Sequence, residues 1–572
     1  MKPVAQKWSM NLNWKYGTFG VLGTLILSGL AMKPTSISIA RSPKAMPGNE
    51  AQISQATADA RSQQRQEQTR QIRPENYDLN QFPVANLHEK HWRNILWTTA
   101  VVEPQDSFVV EAIDQILGLM TRSGLSNGQM RTVDAATKVA TQLYLRYPDT
   151  YGKFEQRFLQ AIEGSRDPEW VAVSLSALVR GGMPLAQVQS LIERVKGRFP
   201  GWNKNVHLYT TIREVAELTD PGEMPPLGDL LKWEVAPRQL HLYVLCRPNR
   251  DVLCQAMLKD RDGQFVRHGD GKLWSTPLLL RSIHNLNWNF VRGQTPQGIF
   301  RIEGIVPQPD DLFFRAYGRF SLVKLFVPFE PGAKQFLPGK SGPFQGDLKD
   351  YQNLLPPSWR NHWAIQQSFW AGKAGRSEFR IHGTGEAPDF FSNKGNNPAS
   401  FSWNPTIGCL SALELYNENG QLVDAHMPRI LEALRMVGGN NFAGYMIVAE
   451  VPGASEQPIS LQEVETALLR KAETTSASSQ VKSTSKPKAI NQPKSAQVEP
   501  PAQPTPEPAT TTLDLKPILD QNSSKEAGKS VPISHQPSAP ETTLKPENIP
   551  LPTRNPDELE AGESIPPLPI AY

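Results

Sequence analysis

Residues 240–258 read LHLYVLCRPNRDVLCQAML. Two apolar runs of strand length, Leu240–Cys246 and Val252–Leu258, flank Pro248-Asn249-Arg250-Asp251. Apolar stretches around a turn built from Pro, Asn and Asp are the pattern of a β-hairpin. Further strands are expected over 297–306, 320–329, 378–382 and 443–451. Trp288, Trp359, Trp363, Trp370 and Trp403 crowd the same stretch, so the large core belongs there. The reading is a mostly β domain over 232–452, a size that one domain can reach.

Upstream, over 105–231, the apolar period becomes helical. Asp167-Pro168-Glu169-Trp170 is an N-cap followed by proline at the first helical position, and the stripe VAVSLSALV follows. Val110, Ile113, Ile116, Leu117 and Met120 form one more stripe, and Leu185, Val188, Leu191, Ile192 and Val195 another. Paired helices with short loops resemble a helical-repeat stack, although no strict period is visible. An accessory domain that carries structure or a protein partner is the expectation.

The ends read differently. Lys2, Lys7 and Lys15 precede an uncharged run over 16–32, so 1–40 is expected to act as an export signal or retained membrane anchor. Residues 41–104 read as a polar linker and 453–572 as a Pro-rich disordered tail, since neither offers much to bury. The chain has 60 basic and 56 acidic residues in 572, a balance that excludes nucleic-acid binding driven by bulk charge. Three cysteines exclude a disulfide-framework protein and a cysteine-rich zinc scaffold. Cys246 and Cys254 fall opposite each other across a three-residue hairpin loop, and buried thiols are favoured there over a disulfide. His88 and His91, and His426 with His382, lack the remaining ligands of a metal site. His268 and His284 read as ordinary polar residues, and no cofactor motif is present.

The residues suited to chemistry fall in two pieces. Ile381-His382-Gly383-Thr384 ends an expected strand, and Thr406-Ile407-Gly408-Cys409-Leu410 follows a polar loop over 386–405. A thiolate is the reactive form of cysteine, and an imidazole can take its proton. Glycine at 408 permits close backbone approach, and the amides of Gly408 and Cys409 are candidate oxyanion donors. A cysteine beside glycine is, by itself, commonly a small packed side chain.

A third segment adds specificity. Thr295-Pro296-Gln297-Gly298-Ile299-Phe300, then His382-Gly383, then Thr406–Cys409, then a closing strand resemble in order the L,D-transpeptidase catalytic domain family. The resemblance covers about 232–452. It implies Cys409 as nucleophile, His382 as its base, and Gly408, Gly383, Thr384 and Thr406 as oxyanion or substrate-positioning residues. It further implies acyl transfer between peptidoglycan stem peptides, without metal or cofactor, in the periplasm or cell wall. With water as acceptor the same cysteine would act as an L,D-carboxypeptidase, and a chain without activity would be a wall-binding scaffold. Two positions depart from the family pattern. Ile407 stands where histidine is usual, and Ser411 where arginine or asparagine is common, with Arg429 or Arg435 as candidate replacements.

Overall fold

The computed structural model describes residues 38–39, 56–307, 319–384, 395–454 and 456–469. The expected export segment at 16–32, most of the Pro-rich tail and part of the 386–405 loop lie outside them. No helix among the described residues is long and apolar enough to cross a membrane.

A helical region comes first. It runs through α1 (Ala58–Arg70), α2 (Glu89–Val102), α3 (Ser107–Leu117), α4 (Asn127–Arg146), α5 (Pro148–Tyr151) and α6 (Phe154–Gly164). It continues with α7 (Pro168–Arg180), α8 (Leu185–Arg198), α9 (Val206–Thr219) and α10 (Leu227–Lys232). The Asp167 carboxylate caps α7 by accepting from the amides of Glu169 and Trp170. Ser126 and Gln129 form a reciprocal capping box at the start of α4. One core unites α2, α3, α4, α6, α7, α8 and α9 around Trp92, Leu143, Phe158 and Leu175.

The strands follow as β2 (Leu240–Cys246), β3 (Cys254–Lys259), β5 (Ser275–Leu278), β6 (Gly298–Val306), β7 (Leu322–Phe326), β8 (Arg380–Thr384), β9 (Leu410–Tyr416), β10 (Leu422–Ala425) and β11 (Ala443–Glu450). They make a mixed sheet in the order β10-β9-β8-β7-β6-β11-β2-β3-β5. A separate two-residue pairing joins β1 (Ser38–Ile39) to β4 (Arg267–His268). The large sheet curls so far that its β5 edge returns to β9. Leu279 and Ser411 exchange both backbone hydrogen bonds, each at 2.9 Å. Both faces are covered. Leu242, Val244, Leu325, Ile381 and Leu410 pack on α13 (Met427–Gly438) on one side. Tyr243, Leu245, Ile299, Tyr445 and Ile447 face α10, α11 (Leu348–Gln352), α12 (Gln367–Lys373) and α14 (Leu461–Leu469) on the other. Burial on both faces explains why β2 reads as a continuous apolar run.

Three expectations need correcting. The stretch 41–104 contains α1 and α2, and Trp92, Ile95, Leu96 and Ala100 of α2 are buried in the helical core. Helix α14 falls inside the expected tail. Its Val464 is fully buried, and Ser460 and Glu463 cap its start reciprocally. Cys246 and Cys254 form a disulfide across β2 and β3, because antiparallel register sets them directly opposite with Cα atoms 4.2 Å apart.

Candidate active site

The loop Thr406–Cys409 enters β9 and is held from three directions. Backbone hydrogen bonds tie it to the segment after β5: Ile283 N–H to Thr406 O at 2.8 Å, and Thr406 N–H to Arg281 O at 3.2 Å. That segment is itself anchored in the helical region. Leu286 and Phe290 are buried in its core. The Asn289 amide donates to Thr210 and Thr211 on α9, each at 2.9 Å. Gln142 of α4 bonds the His284 ring at 3.0 Å, which accounts for that histidine as a polar core residue.

Threonine hydroxyls fix the loop's own carbonyls. Thr295, fully buried, donates to Gly408 O at 2.8 Å. Thr406 donates to Cys409 O at 2.7 Å and accepts the Gly408 amide at 3.2 Å. The Gly408 amide is thus occupied, which removes it from the expected oxyanion donors. Gly408 adopts φ +130, and a Cβ there would meet Arg376 Nη2 at 2.5 Å, so only glycine fits.

Cys409 is the one free cysteine and is half-buried; the other two form the disulfide. Its Sγ donates to Glu378 O at 3.7 Å. Burial pushes the thiol pKa up. The Arg380 guanidinium, the Arg380 backbone amide and the Arg376 guanidinium pull it down, and the Glu378 carboxylate opposes them. Arg376 is buried and spans the loop before β6, donating to the carbonyls of Trp288, Gln294 (2.7 Å) and Gly293 (2.9 Å). Burial outweighs the guanidinium groups, so the thiol stands above its ordinary pKa in the free protein, and the cationic setting offsets only part of that cost. Neither arginine belongs to a motif read from the sequence.

His382 lies on β8, whose parallel register with β9 sets Ile381 beside Leu410 and His382 beside Ser411. Its Nδ1 bonds Gly383 O at 2.9 Å. A carbonyl only accepts, so Nδ1 carries the proton and Nε2 is the basic nitrogen. Burial lowers the imidazole pKa below its ordinary value, while the Gly383 bond and Glu414 oppose that effect. The expected thiol–imidazole hydrogen bond is not among the bonds that Cys409 makes within the described residues. Its thiol turns to Glu378 instead.

A Cβ at Gly383 would meet Glu414 Oε2 at 2.0 Å. Thr384 Oγ1 and Ser411 Oγ share a hydrogen bond at 2.7 Å, so Ser411 is occupied within the sheet. Arg429 pairs with Asp424 at 2.8 Å, and neither it nor Arg435 contributes to the surroundings of the thiol. Ile407 packs with Trp97 and Val101 of α2 and with Ile283. His91 stacks on Phe82 and bonds Asn76 O at 2.9 Å.

Comparison with family models, curated proteins and solved structures finds no match.

Proposed function

We propose that the protein is an exported L,D-transpeptidase acting on peptidoglycan stem peptides through Cys409. The observation that carries this reading is the convergence of the first and third motifs on one loop: Thr295 holds the carbonyl of Gly408, next to a free cysteine among cationic groups. The His382 segment runs alongside as the strand parallel to β9. The Cys246–Cys254 disulfide supports export, since such bonds persist in oxidising compartments.

The chemistry is two acyl transfers. The Cys409 sulfur attacks the carbonyl of the third stem residue, and His382 Nε2 takes the thiol proton. The amide bond to the terminal D-alanine breaks, and its nitrogen receives that proton as it leaves. A thioester remains. The side-chain amine of a second stem then attacks it, gives up a proton to His382 and restores the thiol. The departing thiolate is stabilised by the Arg380 amide and the two guanidinium groups. His382 must come within hydrogen-bond reach of the sulfur, a contact that catalytic pairs commonly tighten only with substrate bound.

Incubating the full chain with disaccharide-tetrapeptide tests this by mass spectrometry. Loss of D-alanine with dimer formation is the expected result, and Cys409→Ser should abolish both. Tripeptide without dimer would assign the carboxypeptidase reaction. Neither product, from folded protein with a reduced Cys409, would leave a non-catalytic wall-binding role.

A further inference from the structure

A cavity of about 410 Å³ lies where α7 and α9 meet the β2–β3 hairpin and the segment after β5. Sites for small ligands span roughly 300–1,000 Å³. Neither Cys409 nor His382 lines it. Six charged side chains do, and four of them neutralise one another in pairs. Arg250 meets Glu450 at 2.7 Å, and Arg281 meets Asp251 at 2.8 Å. The other two are Arg180 and Glu214, and neither has an ionic partner among the described residues.

Both are held by neutral groups. Arg180, the last residue of α7, is exposed to the cavity and donates to the backbone carbonyl of Asn285 and to its Oδ1, the latter at 2.8 Å. Glu214, within α9, accepts from the Trp363 indole at 2.5 Å. No ion pair joins the two, so the cavity presents one guanidinium and one carboxylate as separate, uncompensated charges. A ligand group of opposite charge placed on either would make a charge-assisted hydrogen bond that the neutral partners do not supply. Leu218 and Pro248 add apolar wall beside them.

We propose that this cavity binds a small zwitterion of the short-peptide class, with its carboxylate on Arg180, its ammonium on Glu214 and a small aliphatic side chain against Leu218 and Pro248. The charge states of the free protein agree with that assignment. Burial carries the Glu214 carboxyl up to about 7. A bound ammonium would reverse that shift. Binding here is separate from acyl transfer at Cys409, although Thr295, whose hydroxyl holds Gly408 O, is among the residues around the cavity.

Calorimetric titration of the full chain with alanylalanine, in its L,L and D,D forms, is the test. The dipeptide should bind one to one, more tightly at pH 8 than at pH 6 because Glu214 must be ionised. Capping the amine by acetylation or the carboxylate as amide should weaken binding at least about tenfold, a loss of ~1.4 kcal/mol per charge contact. Arg180→Met and Glu214→Gln, each checked for a native circular dichroism spectrum, should do the same. Capped peptides binding as well as the free one would overturn the proposal. So would wild-type affinity in both variants, or no heat from either dipeptide at about ten times a weak Kd of ~1 mM. None of these readouts requires turnover, so a failed transpeptidase assay leaves the result standing and a failed titration leaves the transpeptidase reading intact.

Discussion

Thr295→Val is the sharpest probe of the clamp on the cysteine loop. Valine keeps the shape of threonine and removes one hydroxyl. That hydroxyl is fully buried and donates to Gly408 O at 2.8 Å, with a longer contact of 3.4 Å to Cys409 O. Cys409 O keeps its stronger partner, Thr406 Oγ1 at 2.7 Å, so the substitution orphans Gly408 O alone. Leaving one buried acceptor unsatisfied costs about 1–3 kcal/mol. Urea unfolding should therefore show a lower midpoint at unchanged slope. A freed Gly408 peptide also lets the thiol leave the Arg380 amide, so the iodoacetamide labelling rate of Cys409 should reach half-maximum at a higher pH than in wild type. Thr406→Val should cost more, because Cys409 O and the Gly408 amide lose their partner together. A Thr295→Val stability change within ~0.5 kcal/mol, the scatter of an ordinary surface substitution, together with an unshifted labelling profile, would refute the clamp.

Three further outcomes follow from the same contacts. Arg380→Met removes the largest influence favouring the thiolate and should move the labelling half-point of Cys409 to higher pH, with Arg380→Lys restoring part of the shift. Replacing Cys246 and Cys254 together by alanine opens a loop of sequence separation 8 and should cost about 2.5 kcal/mol on the chain-entropy relation, read from chemical unfolding with and without reductant. Glu330 is buried, accepts the amides of Val327 and Glu378, and has its carboxyl pushed from 4.5 up to about 7 by burial. The folded state then holds a proton that the unfolded chain releases, so stability is full below about pH 4.5 and is lost as pH rises through about 7. The ceiling is about 3 kcal/mol, and Glu330→Gln should flatten that part of the profile.

The strands of the sheet core were legible because both faces are buried, which makes β2 and β11 almost wholly apolar. The α7 cap was legible because Asp-Pro at a helix start is local chemistry. Helix α2 was missed for the opposite reason. Its stripe of Trp92, Ile95, Leu96 and Thr99 follows a Gln-rich stretch, and averaging over 41–104 hid a helical period confined to the fourteen residues Glu89–Val102. The boundary before α14 could have been found from Ser460-x-x-Glu463 ahead of apolar residues, which is a capping box. The motif residues Thr295, His382 and Cys409 were readable by order along the chain. Arg376 and Arg380 were not, since one precedes β8 and the other opens it, and nothing in linear spacing marks a residue that reaches a neighbouring strand's entry.

Ile407 is the departure that the fold explains best. A polar side chain at that position would point at Trp97 and Val101 of α2 and at Ile283, an apolar cluster that offers it no hydrogen bond. The cluster exists because the helical region packs directly on the segment after β5, sending Leu286 and Phe290 into its own core while Ile283 and Arg281 pair with Thr406. An isoleucine at 407 therefore buries apolar surface exactly where helices and cysteine loop meet, and the change of residue type is tied to the presence of the helices. Trp97→Ala tests the link. It leaves a cavity beneath Ile407, for which large-to-small substitution of a buried tryptophan costs about 3–5 kcal/mol. If the helices hold the cysteine loop, the same variant should also alter the labelling rate of Cys409, although Trp97 makes no contact with the thiol. A variant that loses stability but labels Cys409 at the wild-type rate and pH would separate the helical region from the site and return it to the status of an independent accessory domain.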